Sequence, residues 1–171
     1  MNSYRLIMIV FLTLLGFIGY YFSTIKDAPY TLSSKQYVVD YAIQNLPLEG
    51  TLMKNPDGFV YLKIDDRYVH TLYPMLGLKE EGFKQAPYFR RKNAPGAHIS
   101  IFYKDEHINP KEIGQKFHFQ PKKIVIVKAG NAKYALLQVD APELEKLRSE
   151  YGKTSKLHGN EFHIAIAKKY L

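Results

Sequence analysis

A chain of 171 residues without cysteine has room for one core of ordinary size, and it excludes disulfide bridges, thiolate metal centres and lipid attachment through sulfur. Its 24 Lys and Arg against 16 Asp and Glu leave a formal charge of +8, which favours anionic partners, either phosphate-bearing ligands or an acidic membrane surface. Clusters at Arg90-Arg91-Lys92, Lys122-Lys123 and Lys168-Lys169 are the candidate points of contact.

Residues 6–22 form an uncharged run, LIMIVFLTLLGFIGYYF, with Arg5 before it and Lys26 after it. As a helix it would reach about 25 Å, near the lower limit for crossing a hydrocarbon core. Residues 1–26 therefore read as an N-terminal hydrophobic helix, a single-pass signal anchor or a signal peptide, with a buried helix of the fold as a third option. Ile25-Lys26-Asp27 is a poor cleavage site, which favours the anchor. The flanking charge is too balanced to orient it. A periplasmic or other extracytoplasmic body is the preferred expectation, and residues 27–171 read as a single domain.

Ser33 or Ser34 can cap a helix over residues 35–46, whose Tyr37, Val38, Tyr41, Ala42 and Leu46 suit a face packed on a sheet. Asn55-Pro56-Asp57-Gly58 is a strong turn between apolar segments, and predicts a hairpin of residues 51–54 with 59–64. Asp65 or Asp66 then caps a helix with Val69, Leu72, Tyr73 and Leu76 at i, i+3, i+4 and i+7. Residues 77–96 are polar and aperiodic, as expected of a functional loop or flap; they carry Tyr88, Phe89, Arg90 and Arg91 and run into Gly96-Ala97-His98. Asn109-Pro110 starts a short helical turn, residues 116–120 and 123–129 read as strands, and Gly130-Asn131 turns the chain into a strand over 134–139. Asp140 is the expected N-cap of a helix with Pro142 in its first turn, Leu144, Leu147 and Arg148 along it, and Gly152 at its end. Then comes Phe162-His163.

The two strand–helix–strand units match. Ile64-Asp65 and Val139-Asp140 occupy equivalent corners, and His98 and His163 open equivalent third elements. On an alternating strand His98 shares a face with Ser100 and with Phe102, while Tyr103 is expected to face the other way; His163 likewise shares a face with Ala165. The predicted fold is α+β: bilobal duplicated strand–helix–strand units with antiparallel sheets around a central groove, across which the two histidines meet. Two imidazoles titrating near neutrality suit hydrolysis of a phosphodiester, one as base for water and one as acid for the leaving oxygen, with no metal required. His107, His118 and His158 are separated from each other and from acidic partners at no familiar ligand spacing, so neither a metal nor a cofactor is expected.

Through Gly96-Ala97-His98-Ile99-Ser100 and Phe162-His163-Ile164-Ala165, residues 51–169 resemble the two-histidine phosphoesterases, the LigT-like cyclic phosphodiesterases and RNA-processing enzymes. The resemblance implies that His98 and His163 are the catalytic acid and base, in either order, and that Ser100 holds the phosphate. It also implies 2′,3′-cyclic phosphates or related nucleotide and RNA-end phosphodiesters as substrates. Ala165 departs from the pattern, because the motif carries a hydroxyl there. Tyr88, Phe89, Arg90 and Phe102 are further candidates for the substrate wall, and a monomer with no affinity for duplex DNA is expected. The alternative is a catalytically weak or inactive membrane-tethered module of the same fold that binds an anionic nucleotide or a protein.

Overall fold

In the computed structural model of the chain, residues 28–89 and 94–171 are described. The expected hydrophobic helix of residues 1–26, together with Arg90 and Arg91, lies outside them. Among the described residues no helix is long and apolar enough to cross a membrane.

The strands are β1 (Tyr30–Thr31), β2 (Glu49–Lys54), β3 (Val60–Lys63), β4 (Lys84–Gln85), β5 (His98–Phe102), β6 (Lys116–His118), β7 (Gln120–Ala129), β8 (Ala132–Asp140) and β9 (His163–Tyr170). The α-helices are α1 (Gln36–Asn45), α2 (Arg67–His70), α3 (Leu72–Leu76) and α4 (Pro142–Glu150), and a 3-10 turn covers Lys104–Glu106. The architecture is α+β and rich in antiparallel sheet, as expected. The separate sheets of the sequence reading are instead one nine-stranded sheet in the order β1-β7-β8-β9-β5-β3-β2-β6, with β4 on β9.

Local chemistry explains most element ends. Gly58 N–H donates to the Asn55 carbonyl at 3.0 Å and Asn55 N–H to that of Phe59 at 2.9 Å, which closes the predicted β2–β3 hairpin. The helix expected through residues 69–76 is broken into α2 and α3 at Thr71, because Pro74 has no N–H to donate to the His70 carbonyl four residues back. Most of its apolar stripe survives the break: Val69, Leu72 and Leu76 are buried, joined by Tyr68, while Tyr73 is partly buried against the core. Asp140 is not the N-cap of α4. It ends β8 and pairs with Lys122, and Ala141 takes the cap position. Asn109-Pro110 leads into a hydrogen-bonded turn, Gln115 N–H to Glu112 carbonyl at 2.9 Å, without a helix. Residues 77–89 are anchored more than a flap would be, with β4 paired to β9, Phe83 buried and Ala86 N–H bonded to Ile166 at 2.9 Å.

The expected duplication extends to the hydrogen-bond register. Lys63, Leu62 and Tyr61 of β3 oppose His98, Ile99 and Ser100 of β5; Gln138, Leu137 and Leu136 of β8 oppose His163, Ile164 and Ala165 of β9. Ile64 N–H reaches the Ala97 carbonyl at 3.2 Å, and Val139 N–H reaches that of Phe162 at 2.9 Å. Each ladder then slips by one residue at the same place, so that Val60 opposes Phe102 and Ala135 opposes Ala167. That slip is a β-bulge, one extra residue that reverses which face the following side chain takes. The halves meet where Ile99 opposes Ile164, each the residue after a histidine. One face of the sheet, with Ile99, Ile101, Ile164 and Ile166 fully buried, forms the core beneath the helices; α2 and α3 lie over β9, while α4 lies over β5. The histidines belong to the opposite face.

Candidate active site

His98, Ser100, His163 and Ala165 line one cavity of about 520 Å³ on that face, together with Tyr88, Tyr103, Tyr134, Leu136 and Gln138. Strand alternation accounts for the first four, since residues two apart share a face and the pairing of Ile99 with Ile164 sets the two motifs side by side. A second and more open groove at the β2–β3 turn, lined by Lys54, Asp57, Lys104 and His107, contains neither histidine of the pair.

Both imidazoles are oriented in the same way. His98 Nδ1 lies 2.7 Å from the Gly96 carbonyl, and His163 Nδ1 lies 2.9 Å from that of Glu161. A carbonyl only accepts, so each Nδ1 carries the proton and donates it, which leaves Nε2 as the nitrogen able to take up or release one. Burial lowers the pKa of His98 below its ordinary 6.5; the Gly96 hydrogen bond opposes the shift, and the positive charges of Lys63 and His163 add to it. Burial also lowers that of His163, against the Glu161 hydrogen bond. Around His98 stand three aromatic rings edge-on: Tyr88 at 4.9 Å, and Phe59 and Tyr61 at 5.7 Å each.

Gly96 is required for this arrangement. Its φ is +66°, in the left-handed region, and a Cβ there would meet Asp66 Oδ1 at 2.6 Å. Asp66 is occupied in holding Lys63 and in accepting the Ala97 N–H at 2.9 Å, so it cannot retreat without loosening the turn into His98.

The other sequence candidates divide. Tyr88 joins the cavity wall, whereas Phe89 packs on His70 at 4.4 Å and is not part of it. Arg90 lies outside the described residues. Phe102 does not share the face of His98: it is fully buried in the core, with the Arg148 guanidinium 5.1 Å from its ring. The bulge at Ile101 delays alternation by one residue, which buries Phe102 and turns Tyr103 onto the cavity face, the reverse of the expectation. Phe59 and Tyr61 were missed although alternation with Lys63 and the β3–β5 pairing could have revealed them. Tyr134, Leu136 and Gln138 follow from β8 by the same rule.

The cavity is two-fold in backbone and unequal in side chains. At matched positions the first half carries Lys63, Tyr61, Ser100 and Tyr103, and the second carries Gln138, Leu136, Ala165 and Lys168. The hydroxyl beside the first histidine, Ser100, therefore has no counterpart beside the second, where Ala165 stands; Tyr134 is the hydroxyl that β8 brings to the cavity wall. Among the described residues no group of three or more His, Asp or Glu side chains could hold a metal ion.

No curated protein and no solved structure matches the chain. The family model described as Swiss Army Knife, 2H phosphoesterase domain, matches residues 60–170, a span that contains both strand–helix–strand units and both histidines. On that match, and with two equivalent imidazoles on one cavity, the chain belongs to the 2H phosphoesterase family.

Proposed function

We propose that the domain is a metal-independent phosphodiesterase acting on 2′,3′-cyclic phosphates or related nucleotide and RNA-end phosphodiesters, with His98 and His163 as its acid and base. The observation that carries this reading is the pair of Nδ1-anchored histidines at matched positions on one cavity. A neutral Nε2 takes the proton of the attacking water as its oxygen bonds to phosphorus. The other histidine, as imidazolium, gives its Nε2 proton to the ribose oxygen as the P–O bond breaks, and a phosphate monoester remains. Ser100 donates to a non-bridging oxygen, and the excess of basic side chains favours the anionic substrate.

A second reading, a module that binds an anionic nucleotide without turning it over, is favoured by Ala165, since loss of one such donor costs about 3 kcal/mol of transition-state stabilisation. A panel of 2′,3′-cyclic nucleoside monophosphates assayed with EDTA present separates the two. Turnover that falls at least 100-fold in His98→Ala and in His163→Ala is the expected result; binding without turnover in the wild type supports the module and defeats the enzyme.

A further inference from the structure

The duplicated site has one hydroxyl where its symmetry has places for two, Ser100 in the first half and Ala165 in the second. We propose that Tyr103 supplies the missing donor, its phenol acting beside Ser100 on the non-bridging phosphoryl oxygens of the substrate, an assignment that rests on the phosphodiesterase reading above. Tyr103 reaches the cavity only because the bulge at Ile101 turns it there. Its counterpart behind the matching bulge is Lys168, which is engaged with Tyr134 and Tyr170 instead.

Three features prepare the phenol for that role. Its ring stacks on Phe59, at 6.1 Å and 16°, and on His158, at 5.3 Å and 26°, while the residue as a whole remains 37% exposed and lines the cavity, where a ligand can meet it. Its backbone N–H donates to Glu106 Oε2 at 2.9 Å, and Glu106 is held in turn by Arg148, which also donates to the carbonyl of the bulge residue Ile101. The phenol stays protonated, because burial raises its pKa and the Ser100 hydroxyl beside it offsets that only in part. A donor whose position is fixed before the substrate arrives costs no reorganisation in the transition state.

Tyr103→Phe keeps the stacked ring and removes only the hydroxyl, so a residue that merely packs would leave catalysis unchanged. We expect Tyr103→Phe in the full chain to lower kcat on a 2′,3′-cyclic nucleoside monophosphate by roughly 100-fold, with an unchanged melting temperature. Adding Ala165→Ser, which restores a hydroxyl at the position matched to Ser100, should recover at least about tenfold of that loss. A kcat within twofold of wild type, or a loss that Ala165→Ser does not relieve, overturns the proposal and leaves the phosphodiesterase reading intact. If the wild type turns over no phosphodiester, that reading fails, and the Tyr103 assignment is decided by calorimetric titration with a nucleoside 2′-monophosphate. Affinity weakened about tenfold in Tyr103→Phe then supports the donor role; equal affinity, or no binding by the wild type, overturns it.

Discussion

His98 and His163 differ from free imidazole in the same sense, because partial removal from water lowers the pKa of each by more than its hydrogen bond to a backbone carbonyl raises it. Acid and base catalysis by the pair needs one neutral and one protonated ring, and burial moves that condition to the acid side of 6.5. The charge of the first ring to be protonated also resists protonation of the other, which widens the interval in which the pair shares a single proton. We expect kcat/KM for a cyclic nucleotide to be bell-shaped in pH with its maximum below about 6.5. A profile still rising through pH 8 would show that these two rings are not the titrating groups.

At the scale of elements, the bulge in β5 and the helix α4 act together. Arg148 is 2% exposed, and its guanidinium donates to the carbonyls of Ile101 and Thr154 and pairs with Glu106, so a side chain from the second half fixes the strand that carries Ser100 and Tyr103 in the first. Removing one partner of a buried ion pair leaves the other charged group and the carbonyl without compensation. Arg148→Met should therefore lower the free energy of unfolding by about 3 kcal/mol, read from the urea midpoint. Hydrogen-exchange protection should fall in β5 and in the 3-10 turn at Lys104–Glu106 before it falls in β7 and β8. The equivalent corners Ile64-Asp65 and Val139-Asp140 and the matched histidines of the two units were legible in the sequence, since they follow from strand alternation and helix periodicity. The bulge was not, because a ladder slip is decided by the partner strand. One extra residue at Ile101 was enough to exchange the fates of Phe102 and Tyr103.

For the whole molecule, the two half-buried imidazoles couple folding to pH. Each binds its proton less readily in the folded chain than in the unfolded one, so the stability they permit is fully present above the unfolded value of 6.5 and is lost as pH falls through the lower folded values. The melting temperature should decline on acidification below about pH 6.5, and His98→Gln with His163→Gln should flatten that decline. An equal decline in the double variant would trace the acid sensitivity to other groups. The β5–β9 seam between the halves is short, with Ile99 and Ile164 as its ladder pair, and the halves are further joined by β4 on β9 and by helices that lie over the opposite unit's strand.

The order of residues alone determined the α+β class, the repeated unit, the paired histidines and the shared face of His98 with Ser100, because strand and helix periods and turn chemistry act over a few neighbouring positions. Tertiary structure alone decided that the two units join into one sheet, that Phe89 and Phe102 leave the cavity wall, and that Tyr103 enters it. The physical reason is common to these cases. Local preference selects an element and its face, but the register between strands is a contest among pairings far apart in the chain, and the core settles it by burying Phe102 rather than Tyr103.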